Sequence, residues 1–238
     1  MENNLKKTNY LEAKYYLDNL KKQKLSIINN PTTFTGFDRI SINKESVVKD
    51  YYDTPDFFFQ NSGISINVNT YKKSKTSALV VRWDTSRERI AFLSNIPTTF
   101  ELEISSKDGI FKHTEFIAES IRELVPSGLN VDIEQMVNSI VRVFSVNKQR
   151  ECYKYINYNG LKIKMSFSKT LYSTFLNRNK ELVNILEVKS EDTNRKEEYE
   201  AFTKKIEFNN PTLIKLVASD MRLGRDYLFP EPKQEETK

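Results

Sequence analysis

Five short segments of the chain alternate charged residues with uncharged ones, and their charged side chains are the candidates for chemistry. The segments are residues 10–17, 100–104, 147–150, 161–165 and 185–189. Side chains of a β-strand alternate between its two faces, so each segment collects its charges on one face. Lysine and arginine bind phosphate oxygens well, and glutamate binds hard divalent cations. These strand faces therefore carry the residue types that phosphate and metal chemistry require.

A single alternating strand is most often a surface strand with its polar face in water. Five of them in one chain predict a closed or strongly curved sheet with a charged interior. The residues expected on this inner wall are Glu12, Lys14, Arg82, Glu101, Glu103, Lys148, Arg150 and Glu187, with Lys162 and Lys164 as further basic candidates. The alternative is that the carboxylates only form structural ion pairs, and that Lys162 and Lys164 face bulk water.

Composition favours one domain. The chain has 238 residues, 38% hydrophobic and 12% aromatic, without a long Gly, Pro or Ser linker. We expect a single domain over 1–229 and a charged, flexible tail at 230–238.

The net charge of +5 suits an anionic partner, but the basic residues are dispersed, so a nucleic acid is not the expected partner. Cys152 is the only cysteine, and the sequence shows no signal segment or membrane span, which predicts a cytoplasmic protein.

Periodicity assigns the elements that must position the charges. Strands are expected at 10–17, 47–53, 64–69, 78–83, 100–104, 140–155, 161–168 and 183–190, with a hairpin turn at 159–160. Helices are expected at 18–28, capped by Asp18, and at 114–125, 133–138, 195–206 and 211–223. The chain is therefore predicted to be α+β, with an eight-stranded, mainly antiparallel barrel or tunnel and helices packed outside.

Two motifs make the chain resemble the CYTH superfamily of triphosphate tunnel metalloenzymes over about residues 8–225. Residues 51–55, Y-Y-D-T-P, match the motif of the family's second strand without a change. Residues 10–14 match E-x-E-x-K, except that Tyr10 replaces the first glutamate. Other family positions have lost their charge. They are Asn67, Asn69 and Thr99 in place of arginines, Ser166 or Ser168 in place of an aspartate, and a final strand with one carboxylate, Glu187, instead of two.

The resemblance implies a tunnel that binds a triphosphate. It assigns phosphate binding to Lys14, Arg82, Lys148, Arg150 and Lys164. It assigns Mg²⁺ or Mn²⁺ to Glu12, Glu101, Glu103 and Glu187, with Glu12 and Glu187 as catalytic residues. The expected function is metal-dependent hydrolysis of inorganic, nucleoside or thiamine triphosphate.

The lost charges leave two alternatives open. The first is a protein that binds a polyphosphate or a phosphorylated ligand without turning it over. The second is an activity like that of class IV adenylate cyclases. The sequence leaves the oligomeric state undetermined.

Lys189 shares a strand face with Glu187, and a lysine so placed competes with a metal ion for the carboxylate. We therefore expect a weakened metal site, with triphosphate binding that is largely independent of metal. Three other residues receive structural interpretations. Asp53 is expected to fix the turn before Pro55, Cys152 to be a buried thiol, and His113 to have no catalytic partner.

Overall fold

The described residues form one antiparallel sheet of ten strands. The computed structural model describes residues 5–83, 98–105, 109–125, 129, 131–174 and 179–230. The strands are β1 (Leu5–Thr8), β2 (Leu11–Tyr16), β3 (Phe37–Asp53), β4 (Ile64–Tyr71), β5 (Thr76–Trp83), β6 (Thr99–Ile104), β7 (Val141–Asn157), β8 (Lys162–Thr174), β9 (Lys180–Ser190) and β10 (Ile214–Leu216). Their order across the sheet is β1-β6-β5-β4-β3-β7-β8-β9-β2-β10.

The sheet curves so that its two edges approach each other. β1 pairs with β6 at one edge, whereas β2, which follows β1 after a short connection, pairs with β9 near the other edge. In that connection, the Asn9 side chain accepts a hydrogen bond from the Thr98 amide at 2.7 Å. Strand pairing within the described residues does not close the sheet into a complete barrel. The inner faces of the strands nevertheless surround a common interior.

The predicted fold class is confirmed, because the sheet is antiparallel and helices pack outside it. The described residues contain ten strands instead of the eight predicted. The two strands that were not predicted, β1 and β10, are short, with 4 and 3 residues. β3 is longer than predicted: it begins at Phe37, and its first half pairs with β7. This pairing joins segments more than 100 residues apart in the chain, so local periodicity could not show it.

Six helices lie within the described residues: α1 (Leu20–Ile28), α2 (Phe58–Asn61), α3 (Thr114–Leu124), α4 (Ile133–Asn138), α5 (Lys196–Asn209) and α6 (Asp220–Leu228). α3 buries Ile117 and Ile121 in a cluster with residues of β4, β5 and β6. α1 and α5 bury Ile27, Phe202 and Ile206 against β2, β8 and β9. None of the described helices is long and apolar enough to cross a membrane.

Two predicted helix boundaries are wrong. The α1 cap is Asn19 rather than Asp18, because the Asn19 side chain accepts the Lys22 amide at 2.9 Å. The expected helix at 211–223 is instead the strand β10 followed by α6, which begins at Asp220. β10 pairs with β2, and this pairing satisfies backbone groups that a helix would satisfy locally. Residues 231–238 of the predicted tail lie outside the described residues.

α6 closes one end of the interior. It buries Met221, Leu223 and Leu228 in a cluster with Phe144 and Tyr172 of the sheet. The helix backbone comes so close that a Cβ atom on Gly224 would lie 2.3 Å from the Phe144 ring. Glycine is therefore required at this position. The close packing places Asp220, the first residue of the helix, beside the interior of the sheet.

Candidate anion-binding site

A cavity of about 500 Å³ lies inside the curved sheet. Its described lining contains nine basic side chains and four carboxylates. The basic residues are Lys6, Lys14, Lys49, Arg82, Arg150, Lys154, Lys162, Lys164 and Lys189, and the acidic residues are Glu101, Glu187, Glu191 and Asp220. An excess of one charge within a concave surface focuses the potential and attracts ions of opposite sign.

β2 and β9 place opposite charges directly across from each other. In their antiparallel register, Glu12 lies opposite Lys189, and Lys14 lies opposite Glu187. The alternation of side chains brings all four charges to the inner face, while Ala13 of β2 packs in the cluster beneath α5. Cross-strand pairs of opposite charge favour this register.

Glu12 is held by three basic side chains. Its carboxylate lies 2.8 Å from Arg82, 2.8 Å from Lys189 and 3.7 Å from Lys14. Arg82 belongs to β5, which does not pair with β2 in the sheet. The Arg82–Glu12 ion pair therefore joins two parts of the wall that the backbone hydrogen bonds do not connect.

Asp220 brings together lysines from three strands. Its carboxylate lies 2.8 Å from Lys49 of β3, 2.8 Å from Lys148 of β7 and 3.4 Å from Lys14 of β2. Lys148 is fully buried and also donates to Glu187. The result is a continuous network of three carboxylates and five basic groups, which we call the inner network. It consists of Glu12, Glu187, Asp220, Lys14, Lys49, Arg82, Lys148 and Lys189.

Sequence reasoning missed both Asp220 and Lys49. Lys49 follows the same alternation as Val47 and Tyr51 on β3, so the pattern could have predicted which face of the strand its side chain occupies. Asp220 had no such signal. It reaches the cavity because α6 packs across one end of the interior, and this contact is not encoded in the residues next to it.

A second, smaller group of charges lies toward β8. Glu45 of β3 contacts Arg150 at 2.7 Å and Lys164 at 3.4 Å. Both basic residues were predicted to bind phosphate, and both line the cavity. Lys154 lies opposite Lys164 on the neighbouring strand and also lines the cavity. This end of the wall therefore keeps more positive than negative charge.

The structure brings most of the predicted inner-wall residues together. Glu101, Lys162 and Lys164 line the cavity as expected for an inner face, although Lys162 remains exposed to solvent. Glu12 and Lys148 join the lining residues through the inner network. Glu103 is exposed and is not among the lining residues, so it lies apart from the other predicted carboxylates.

The neutral replacements also face the cavity. Asn67, Asn69, Thr99 and Ser166 all line it. The Asn67 amide donates to Asn69 at 2.8 Å, and both side chains are buried. These positions supply uncharged hydrogen-bonding groups to the wall of the cavity.

The ionisation of the inner network follows from its pairing. Burial alone would raise the pKa of Glu187, but Lys148 and Lys189 outweigh it and hold that pKa well below its usual range. The pKa values of Glu12 and Asp220 are also well below normal despite burial, because each carboxylate contacts several basic groups. Lys49 behaves differently. Burial lowers the pKa of Lys49 to about 8, although the negative charge of Asp220 acts to raise it.

These carboxylates do not fit a Mg²⁺ or Mn²⁺ ion as they are arranged. Lys189 contacts Glu12 and lies 3.7 Å from Glu187, so its ammonium group lies between the two best candidate ligands. Within the described residues, no cluster of three or more His, Cys, Asp or Glu side chains could hold a metal ion. A divalent ion would have to displace lysines from carboxylates that they already neutralise.

Three further residues have structural surroundings. Asp53 accepts the backbone amides of Thr54, Phe59 and Gln60 at 2.8–2.9 Å, which confirms its role in fixing the turn. Cys152 is buried beside Ser166 at 3.4 Å. His113 precedes α3, away from the cavity lining.

No protein-family model matches the sequence, and no curated protein matches it. Solved structures do show similarity. One is a candidate adenylate cyclase from Bacillus halodurans, with 9% identity, a TM-score of 0.51, and coverage of 92% of this chain and 97% of that chain. Another is a candidate adenylyl cyclase from Hippeastrum, described as having a dominant triphosphatase activity, with 13% identity, a TM-score of 0.50, and coverage of 92% and 96%. These similarities support the fold that the sequence motifs suggested.

Proposed function

We propose that this protein binds a triphosphate or a related polyphosphate anion in the cavity of the curved sheet. The observation that carries the proposal is the excess of basic over acidic groups in the cavity, nine against four among the described residues. Within the inner network, five basic groups face three carboxylates. A bound polyanion would neutralise this excess.

The chemistry of the wall suits phosphate oxygens. Ammonium and guanidinium groups form short, charge-assisted hydrogen bonds with phosphate. Neutral donors such as Asn67 and Ser166 could complete the contacts, since both line the same cavity. A cavity of about 500 Å³ falls within the usual size range of small-molecule sites, roughly 300–1,000 Å³.

Lys49 offers the sharpest test of this proposal. It lines the cavity, and its one ion pair within the described residues is with Asp220, which keeps Lys14 and Lys148 as partners. Lys49→Met should therefore fold and yet lose one phosphate contact. We expect the affinity for inorganic triphosphate, measured by calorimetry at pH 7, to fall at least about tenfold, since a hydrogen bond to a charged group contributes about 1.5–3 kcal/mol.

Lys44→Met is the matched control, because Lys44 is on the same strand but exposed and outside the cavity lining. Its affinity should stay within about twofold of the wild type, as expected for a surface charge. Equal losses in the two variants would indicate nonspecific attraction to a basic protein. Absence of any triphosphate binding by the wild type would refute the proposed function.

A second candidate function is metal-dependent hydrolysis of the bound triphosphate. It is favoured by the inward placement of Glu12 and Glu187 on adjacent strands and by the activity named for the similar Hippeastrum protein, but it requires the metal ion to displace Lys189 from these carboxylates. If it is correct, phosphate release should require Mg²⁺ or Mn²⁺ and should fall at least about tenfold in Glu187→Gln, since a side chain acting as a general acid or base typically contributes about 10²–10⁴-fold. Triphosphate binding without metal-dependent release would leave binding alone as the function.

A further inference from the structure

The position of Lys189 between two carboxylates bears on whether the ligand enters the cavity with or without a metal ion. Its Nζ lies 2.8 Å from Glu12 and 3.7 Å from Glu187. The two carboxylates come from adjacent strands and are only 13% and 2% exposed. Buried carboxylates need a cation or a proton nearby to neutralise them, and the Lys189 ammonium group contacts both Glu12 and Glu187.

The rest of the inner network repeats the same arrangement. Lys148 contacts both Glu187 and Asp220, and Lys14 contacts both Asp220 and Glu12. Each of the three carboxylates therefore shares a lysine with each of the others. A Mg²⁺ ion needs oxygen ligands at about 2.0–2.1 Å in near-octahedral geometry. To bind these carboxylates, Mg²⁺ would have to displace an ammonium group from them. The displaced group would remain charged and would lie close to the metal ion.

We propose that Lys189 takes the place of a divalent cation between Glu12 and Glu187, and that the cavity consequently takes up a polyphosphate anion free of metal. This inference rests on the proposed function, whose ligand class it narrows. The bound anion retains its full negative charge, and the positive charges that neutralise it come from the protein. Magnesium in solution acts as a competitor, because it complexes the phosphate chain and lowers the charge available to the lysines.

The first test compares the wild type in two buffers. Inorganic triphosphate is titrated by calorimetry into metal-depleted buffer and into buffer with Mg²⁺ in large excess over the ligand, at equal ionic strength. We expect binding in the first buffer and an affinity at least about tenfold weaker in the second, a difference of about 1.4 kcal/mol. Binding that appears only with Mg²⁺, or is strengthened by it, would overturn the inference while leaving the proposed function intact.

The second test asks whether Lys189 itself excludes the metal and uses no phosphate. Mn²⁺ is titrated into the protein, and the unbound ion is measured by electron paramagnetic resonance. Lys189→Met leaves Glu12 and Glu187 without their shared cation, so we expect Mn²⁺ to bind at least about tenfold more tightly than to the wild type, since metal affinity depends on the charge of the ligands. Equal Mn²⁺ affinity in both proteins would overturn the role of Lys189.

Lys162→Met is the matched control for this test. Lys162 also lines the cavity, but it is exposed and forms no ion pair among the described residues. Its removal lowers the positive charge of the cavity equally without uncovering a carboxylate pair, so we expect unchanged Mn²⁺ affinity. A gain as large as in Lys189→Met would show that overall charge, not the position of Lys189, excludes the metal. In the first test, failure of the wild type to bind triphosphate in either buffer would refute the proposed function and with it the metal-free uptake, whereas the Mn²⁺ titration would still test the role of Lys189.

Discussion

Asp220→Asn is expected to lower the free energy of unfolding by about 3–5 kcal/mol, the range for removing one partner of a buried ion pair. The reason is that Asp220 is 4% exposed and contacts Lys14, Lys49 and Lys148. Asparagine keeps the shape of the side chain but removes the charge. Lys49 then loses its partner, and the interior gains uncompensated positive charge. Equilibrium unfolding in urea at pH 7 measures the change.

The same variant links stability to ligand binding. Asp220 occupies lysines that a phosphate group would use, so its removal should increase the affinity for inorganic triphosphate. Added triphosphate should therefore stabilise Asp220→Asn more than the wild type, because a ligand that binds only the folded state raises stability according to its affinity.

Asp226→Asn is the control, since Asp226 lies on the same helix, is 59% exposed and is 3.9 Å from Arg222. We expect this control to change the free energy of unfolding by less than about 0.5 kcal/mol, as for most exposed ion pairs. A similar small effect of Asp220→Asn would contradict the inner network. A large destabilisation that triphosphate does not reduce would support the network but count against anion binding beside it.

Stability should also fall steeply in acid. The pKa values of Glu12, Glu187 and Asp220 lie below those of the same groups in the unfolded chain, which are roughly 3.9–4.3. The ion pairs therefore stabilise the protein fully above about pH 5, and their contribution is lost as the pH falls from there toward the folded-state pKa values. Below about pH 4, each such carboxylate should lower the free energy of unfolding by about 1.4 kcal/mol per pH unit.

Urea unfolding at several pH values between 7 and 3 measures this dependence. Glu187→Gln removes one of the three titrating groups, so its free energy of unfolding should depend less steeply on pH below about pH 4. Glu197→Gln should keep the wild-type dependence, because Glu197 is exposed on α5 and forms no ion pair within the described residues. A free energy of unfolding that hardly changes between pH 5 and 3 would show that these carboxylates are not held in their charged form.

The sequence by itself determined which side chains of a strand share one face. Alternation along a strand is a local property, so the pattern at 10–17 was enough to place Glu12 and Lys14 on one face, and the pattern at 185–189 was enough to place Glu187 and Lys189 together. The turn at Asp53 was local as well, since its carboxylate binds amides only one, six and seven residues away. The excess of basic residues on the inner strands likewise followed from composition and alternation.

Only the tertiary structure decided which of these charges meet. Asp220 contacts Lys14 across 206 residues of chain and Lys148 across 72, and its place depends on the packing of Gly224 against Phe144. Glu45 reaches Arg150 through the long pairing of β3 with β7. The strength of an ion pair depends on distance and on the exclusion of water. Both are set by how the sheet curves and how α6 packs across its end, so no local pattern could show that the carboxylates suited to a metal are already paired with lysines.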